Sequence, residues 1–184
     1  MMRDQFTPKT RSTFARRFVL SAALGAGLLA LAASPSYGRA TVGSFESVTP
    51  FSETITNYPC FEGVPATMTG TVTSEGAFTE TTSGHFSVHG TDTIDYRVDL
   101  GDGRYALGQV AEHFGFRVNM NRPRTTETGT QQERAILYAA DGQELGTITV
   151  HVTTHVTYAD ENGNFEPDPG EITTSFERFN VSCP

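Results

Sequence analysis

The feature that most constrains the fold of this chain is a two-residue alternation of side-chain type. Between residues 64 and 73, threonine occupies each odd position from 67 onward, and small or apolar residues occupy the even positions. Successive side chains of a β-strand point to opposite faces, so this pattern separates a threonine face from an apolar face. Threonine itself favours strands, and it accounts for 24 of the residues in 39–184. The pattern predicts an all-β protein.

Eight strands of this kind can be placed between turn signals. Turns are predicted at residues 75–76, 101–103 and 141–142, and the apolar-poor stretch 121–132 is predicted to be an exposed loop. Pro50 predicts that the first strand is bulged or lies at a sheet edge. Short connections in sequence order indicate a single antiparallel barrel or sandwich of about eight strands. The predicted strands cover residues 44–57, 64–73, 78–88, 94–100, 114–120, 134–139, 145–158 and 171–183.

The first 38 residues have the pattern of a signal peptide. Arg16 and Arg17 precede an apolar run of 16 residues, 18–33, which is short for a membrane span and typical of a signal sequence. Small residues follow it, so we expect cleavage after Gly38 or Ala40 and a β-barrel domain over 39–184. Both the general secretory and the twin-arginine routes remain open, and either predicts a secreted protein.

The expected mature region is strongly acidic. Residues 39–184 carry 20 acidic side chains against eight arginines and no lysine, for a net charge of −12. Such a charge disfavours nucleic acid and anionic lipid as partners. We therefore expect no nucleic-acid partner, and the sequence predicts no membrane span.

Two cysteines, Cys60 and Cys183, lie in this region, and the chain has no others. In an oxidising compartment an isolated pair indicates one disulfide. That bond would close a loop of 124 residues. A catalytic cysteine paired with a histidine is the alternative, but no other feature of the sequence supports a nucleophile.

Four short segments resemble a group of small secreted proteins of actinobacteria. These segments are residues 57–63, 69–71, 103–105 and 151–157. The resemblance extends over nearly all of 39–184 and implies an exported β-protein. It implies no activity and no catalytic residue.

Residues 160–171 have the spacing of a calcium-binding loop. Calcium takes six to eight oxygen ligands in flexible geometry. The segment resembles the calcium loops of dockerin modules and of bacterial adhesin B-repeats, although Phe165 stands where those loops have glycine. The alternative is an acidic hairpin loop that binds no ion. The expected ligands are the side chains of Asp160, Asn162, Asn164, Asp168 and Glu171 and the backbone carbonyl of Glu166.

The aromatic stripe of the predicted barrel is a second candidate site. It could line a ligand pocket, or its aromatic residues could simply belong to the core. His113, beside Glu112 in the sequence, could act as a general base at the barrel mouth, or it could be a surface residue. The candidate pocket residues are Tyr96, Phe114, Phe116, His113 and Arg117.

Two functions are compatible with these observations. The first is a secreted, non-catalytic barrel that binds a small apolar ligand or a surface partner, stabilised by its disulfide and by calcium. The second is a small barrel cyclase or isomerase resembling the allene oxide cyclase type. The sequence contains no nucleophile elbow, zinc-protease motif, phosphate loop or dinucleotide fingerprint. Glycoside hydrolysis, which needs two facing carboxylates, is neither excluded nor indicated. The polarity of the barrel interior should discriminate between the two functions, since an enzyme needs polar groups converging among the aromatic rings.

Overall fold

The structure is a computed structural model, and it describes residues 40–119, 121, 124–159 and 171–184. These residues form one sheet of seven antiparallel strands in the order of the sequence. The predicted signal peptide lies outside the described residues, as does the predicted calcium loop except Glu171. The strands are β1 (Thr41–Tyr58), β2 (Phe61–Glu80), β3 (His85–Asp99), β4 (Tyr105–Asn119), β5 (Arg124–Tyr138), β6 (Glu144–Tyr158) and β7 (Ile172–Ser182).

The all-β class is confirmed, but the count of eight strands is wrong, because β2 continues through the predicted turn at 75–76. Gly76 pairs with Phe45 of β1 on one side and with Gly90 of β3 on the other. The turn comes later, over residues 81–84, where Gly84 adopts a positive φ of 75°. The predicted strand 78–88 therefore consists of the end of β2, a turn and the start of β3.

The predicted loop at 121–132 is also wrong, because most of it belongs to β5. This strand pairs with β4 on one side and β6 on the other. Its buried face includes Thr125, Gly129 and Glu133, so it lacks the apolar alternation that marks the other strands. The turns predicted at 101–103 and 141–142 are confirmed, with glycines at positive φ in both.

The sheet is open but strongly curved. Within the described residues β1 and β7 are its edges and do not pair with each other. A flat sheet would separate β7 from β2 by about 24 Å, at roughly 4.8 Å a strand. The predicted disulfide between Cys60, in the β1–β2 turn, and Cys183, after β7, is present with its Cα atoms 5.9 Å apart. The sheet must therefore curl until its two edges meet at this end, although it is not closed into a barrel.

Curvature gives the sheet a concave and a convex face. We call concave the face that carries Met68, Ile94, Val110, Ala135 and Ile148, which are all buried. Every other buried residue of β2 to β6 lies on this face too, except Thr157. The core is thus the interior of the curl. The described residues contain no helix of the length and hydrophobicity that crossing a membrane requires.

Candidate functional site

A row of polar side chains crosses the concave face near the middle of the sheet. Strand pairing places Ser47, Ser74, Asp92, Glu112 and Gln131 directly opposite one another on β1 to β5. The two acids at the centre of the row are almost fully buried, since Asp92 is 4% exposed and Glu112 is 2% exposed. Directly opposed residues of an antiparallel pair have Cβ atoms only about 5 Å apart. The side chains of Asp92 and Glu112 are therefore buried next to each other.

Burial and mutual repulsion both disfavour charge on this acid pair, Asp92 and Glu112. Loss of solvation, and then the negative charge of Asp92, raise the pKa of Glu112 to about 7. Loss of solvation also raises the pKa of Asp92, opposed by a hydrogen bond that Ser74 donates to it. A group with a pKa near neutrality can give or accept a proton under physiological conditions. The pair is therefore chemically competent for proton transfer and for binding hydrogen-bond donors.

One oxygen of the acid pair has no hydrogen-bond partner among the described residues. Asp92 Oδ1 is buried and makes no hydrogen bond to any described residue. A buried polar atom left in this way costs about 1–3 kcal/mol, and such a group in a folded protein calls for an explanation. A ligand that donates a hydrogen bond would satisfy it.

A second polar network lies toward the disulfide end of the concave face. Tyr96 donates a short hydrogen bond to Glu133 Oε1, and the hydroxyl oxygens of Tyr96 and Tyr58 lie 3.1 Å apart. Burial raises the pKa of Glu133 and of both tyrosines. The network joins β1, β3 and β5, so it holds the curl together from inside.

A glycine on the intervening strand makes the Tyr96–Glu133 contact possible. Tyr96 of β3 pairs with Gly108 of β4, which pairs with Ala135 of β5. A Cβ added at Gly108 would collide with the Tyr96 ring and would lie 2.8 Å from the Ala135 Cβ. The ring therefore crosses β4 in the space that Gly108 leaves.

Glycines on intervening strands also allow an aromatic pair to form beside the acid pair. The rings of Phe45 on β1 and Phe114 on β4 stack with their centroids 6.4 Å apart and their planes 24° apart. The intervening strands carry Gly76 and Gly90 in this row. A Cβ at Gly90 would lie 2.6 Å from the Phe114 ring, and one at Gly76 would collide with Phe45. Two glycines thus let the rings meet across the concave face, one row from Asp92 and Glu112.

The basic residues of the described strands all lie on one face of the sheet. Every arginine and histidine of these strands lies on the convex face, because each pairs with convex-face residues of its neighbours. Within the described strands the concave face carries seven acids and no base: Glu53, Glu80, Asp92, Glu112, Glu127, Glu133 and Glu177. The interior of the curl is therefore a region of negative potential.

Strand alternation divides the predicted pocket residues. Tyr96 and Phe114 are buried on the concave face, and Phe116 is half-buried there. His113 and Arg117 are exposed on the convex face, so they do not line the same surface. The residues on either side of His113 and of Arg117 in the sequence point to the concave face, whereas these two residues point to the convex face. His113 instead makes a 3.0 Å hydrogen bond with Thr91 Oγ1 on the adjacent strand, on the face opposite to Glu112.

Of the acid pair and Glu133, sequence analysis considers only Glu112, beside His113, although the signal that identifies these acids is simple. Asp92 lies two positions before Ile94, and Glu112 lies two positions before Phe114. In a strand this spacing puts each acid on the face of its apolar neighbour. An acid in phase with an apolar stripe is a candidate buried carboxyl.

The predicted calcium ligands from Asp160 to Asp168 lie outside the described residues. Glu171 is half-buried, and its carbonyl oxygen accepts a 3.0 Å hydrogen bond from the backbone N–H of Ala159. Elsewhere in the described part of the chain, histidine, cysteine and acidic side chains form no group of three or more that could hold a metal ion.

Comparison of the chain with protein-family models, with curated proteins and with solved structures gives no match. The interpretation of the site therefore depends on its geometry and electrostatics.

Proposed function

We propose that this protein is a secreted, non-catalytic module that binds a small, largely apolar molecule on the concave face of its sheet. The observation that carries the proposal is the acid pair with its unsatisfied Asp92 Oδ1, placed one row from the Phe45–Phe114 stack. Ligand sites in proteins are concave and mostly apolar, with a few polar groups that orient the ligand. This face has that composition.

The open edges of the sheet support access for a ligand. On β1 the concave-face residues Ser47 and Thr49 are exposed. On β7 the concave-face residues Phe179 and Val181 are 37% and 38% exposed. Toward the disulfide end, by contrast, the concave face is closed by buried residues such as Met68, Val98 and Leu137. The concave face of the described strands is thus buried toward the disulfide end and exposed along its two edges.

The disulfide and the predicted signal sequence support secretion. A disulfide that persists in the mature protein belongs to an oxidising compartment. The same bond stabilises a curved sheet whose edges are otherwise unpaired within the described residues. We include calcium at residues 160–171 in the proposal as a stabilising ion, on the evidence of ligand spacing alone.

The interior also favours a second candidate, an acid–base catalyst such as a cyclase or isomerase. The specific observation is that Glu112, whose pKa is raised to about 7, lies on the same face as the tyrosines and Glu133. Polar groups do converge among aromatic rings here, as an enzyme would require. A molecule recovered from the protein after incubation in D₂O would carry deuterium on carbon if proton transfer occurs, and would carry none if the protein only binds it.

Binding itself is tested with the neutral apolar fluorophore N-phenyl-1-naphthylamine. We expect its fluorescence to rise on binding, and Phe114→Leu to weaken the affinity several-fold because the ring lies on the concave face. Phe176→Leu is the matched control, since Phe176 is 54% exposed on the convex face of β7. A probe that does not bind, or that loses equal affinity in both variants, would overturn the proposal.

A further inference from the structure

We infer that the ligand of the concave face is an organic cation, an ammonium group attached to an apolar body, and that Asp92 and Glu112 bind its nitrogen. This inference rests on the proposed function and names the chemical class of the ligand. It depends on three features of the acid pair: the unpartnered Asp92 Oδ1 and the lack of a counter-charge within the described strands, and the aromatic rings beside the pair.

The missing donors define what the ligand must supply. Ser74 is the hydrogen-bonding side chain that acts on Asp92, whereas Asp92 Oδ1 is buried without a partner among the described residues. Within the described residues, the unpartnered Asp92 Oδ1 receives no hydrogen bond from the carboxyl group of Glu112 on the adjacent strand. An ammonium group has up to three N–H donors and no acceptor. It can therefore serve oxygens of both carboxyl groups at once.

The charge distribution selects a cation over a neutral donor. The concave face of the described strands carries seven acids and no base. Within the acid pair each charge raises the cost of the other, which is a direct consequence of strand pairing between Asp92 and Glu112. A bound positive charge would reverse that cost, because it converts a repulsive site into a charge-assisted hydrogen-bonded one. A neutral hydroxyl ligand would leave the repulsion in place.

The surroundings select an organic cation over a metal ion. Calcium requires six to eight oxygen ligands, whereas this position offers two carboxyl groups and Ser74, and the described residues hold no metal-ligand group of three. Phe114, two residues from Glu112 on the same strand, stacks with Phe45. Aromatic faces attract ammonium groups through the negative charge of the ring face. On the other side of the acid pair lie Ile94 and Val110, both buried. An ammonium group with an apolar substituent therefore complements both the aromatic rings on one side and the aliphatic side chains on the other.

Three probes with one apolar body and different charge test the inference: phenylbutylammonium, phenylbutanol and phenylbutyrate. Each is titrated against the full-length mature protein by calorimetry at pH 7.5. We expect the ammonium probe to bind at least tenfold more tightly than the alcohol, and the carboxylate probe not to bind. Equal affinity for the ammonium probe and the alcohol would overturn the cation while leaving an apolar ligand site in place. If none of the three binds and N-phenyl-1-naphthylamine does not bind either, the proposed function fails as well.

Two isosteric variants locate the nitrogen site. Asp92→Asn and Glu112→Gln keep the shape of each side chain and remove one negative charge, so both should fold at least as well as the parent at this pH. Each should lower the affinity for phenylbutylammonium at least tenfold and leave that for phenylbutanol unchanged. Glu75→Gln is the control, because Glu75 is exposed and lies on the convex face next to Ser74. Unchanged ammonium affinity in both concave-face variants would place the cation elsewhere and contradict the inference.

Discussion

Asp92 and Glu112 stand directly opposite each other on β3 and β4, on the concave face of the sheet, with 4% and 2% of their surfaces exposed. No arginine or histidine shares that face within the described strands. The fold thus holds two like charges together in its interior. That costs stability when both groups are ionised.

The acid pair predicts that stability falls as the pH rises. Burial raises the pKa of Glu112 from its ordinary value near 4.5 to about 7, so between these values the folded state binds more protons than the unfolded state. The free energy of unfolding should then decrease by about 3 kcal/mol as the pH rises from about 4.5 to 7. Urea unfolding at several pH values measures it.

Glu112→Gln isolates this contribution. It should stabilise the protein at pH 8, where the parent carries the buried charge, and should have little effect at pH 4.5. Glu75→Gln, on the exposed convex face, should change neither. Stability that rises in the parent from pH 5 to pH 7 would contradict the buried acid pair.

A second prediction concerns Gly108→Ala. The added Cβ would enter the space through which the Tyr96 ring reaches Glu133. Inserting a methyl group into a packed core costs typically 1–3 kcal/mol, and displacing Tyr96 would also leave a buried carboxyl without its donor. Gly115→Ala on the same strand is the control, since its Cβ would meet only the Oγ1 end of Thr128 at 2.8 Å on the convex face. Thermal melts should separate the two variants, and equal losses would show that Gly108 has no special role.

The disulfide should contribute more than any single core residue. It links positions 123 apart in the sequence and ties two sheet edges that do not otherwise pair among the described residues. The loop-entropy model assigns such a bond about 4–5 kcal/mol. The double variant Cys60→Ala with Cys183→Ala should lose stability of that order in urea unfolding. An unchanged unfolding midpoint would mean that the curl is maintained without it.

The calcium loop remains a prediction from ligand spacing. An affinity in the weak extracellular class, on the order of 10⁻⁴ to 10⁻³ M, is expected because Phe165 replaces the usual glycine. At 10 mM calcium and the tighter limit, the ion would stabilise the fold by about 2.7 kcal/mol. Melts in calcium and in EDTA should differ by several degrees, and Asp160→Ala combined with Glu171→Ala should remove the difference. Identical melts in both buffers would identify residues 160–171 as an acidic hairpin loop.

Much of the fold follows from the alternation in the sequence. The alternation identifies the β class and most strands, and the presence of only two cysteines identifies the disulfide. Strand prediction from this alternation fails at Gly76 and in the first part of β5 for the same reason. At Gly76 the concave position is filled by a ring from another strand, and in β5 the concave positions from Thr125 to Ala135 are polar or small. Local hydrophobicity cannot report either arrangement, because both depend on partners distant in the sequence.

The candidate site was missed for a related reason. The sequence candidates combined Phe114 with His113, which adjoins it in the chain but points to the other face. Residues two positions apart, Glu112 and Phe114, share the concave face. The open sheet, in contrast, could not be predicted, since nothing local distinguishes the edges of a curled sheet from the seam of a closed barrel.

The central claim is that a cationic ligand binds at Asp92 and Glu112, and amide shift mapping by NMR with phenylbutylammonium tests it most directly. The account predicts that the largest shifts fall on β3 and β4 around residues 90–94 and 110–114, and that they vanish when Asp92→Asn and Glu112→Gln are combined. Shifts confined to convex-face positions, or retained in that double variant, would contradict it.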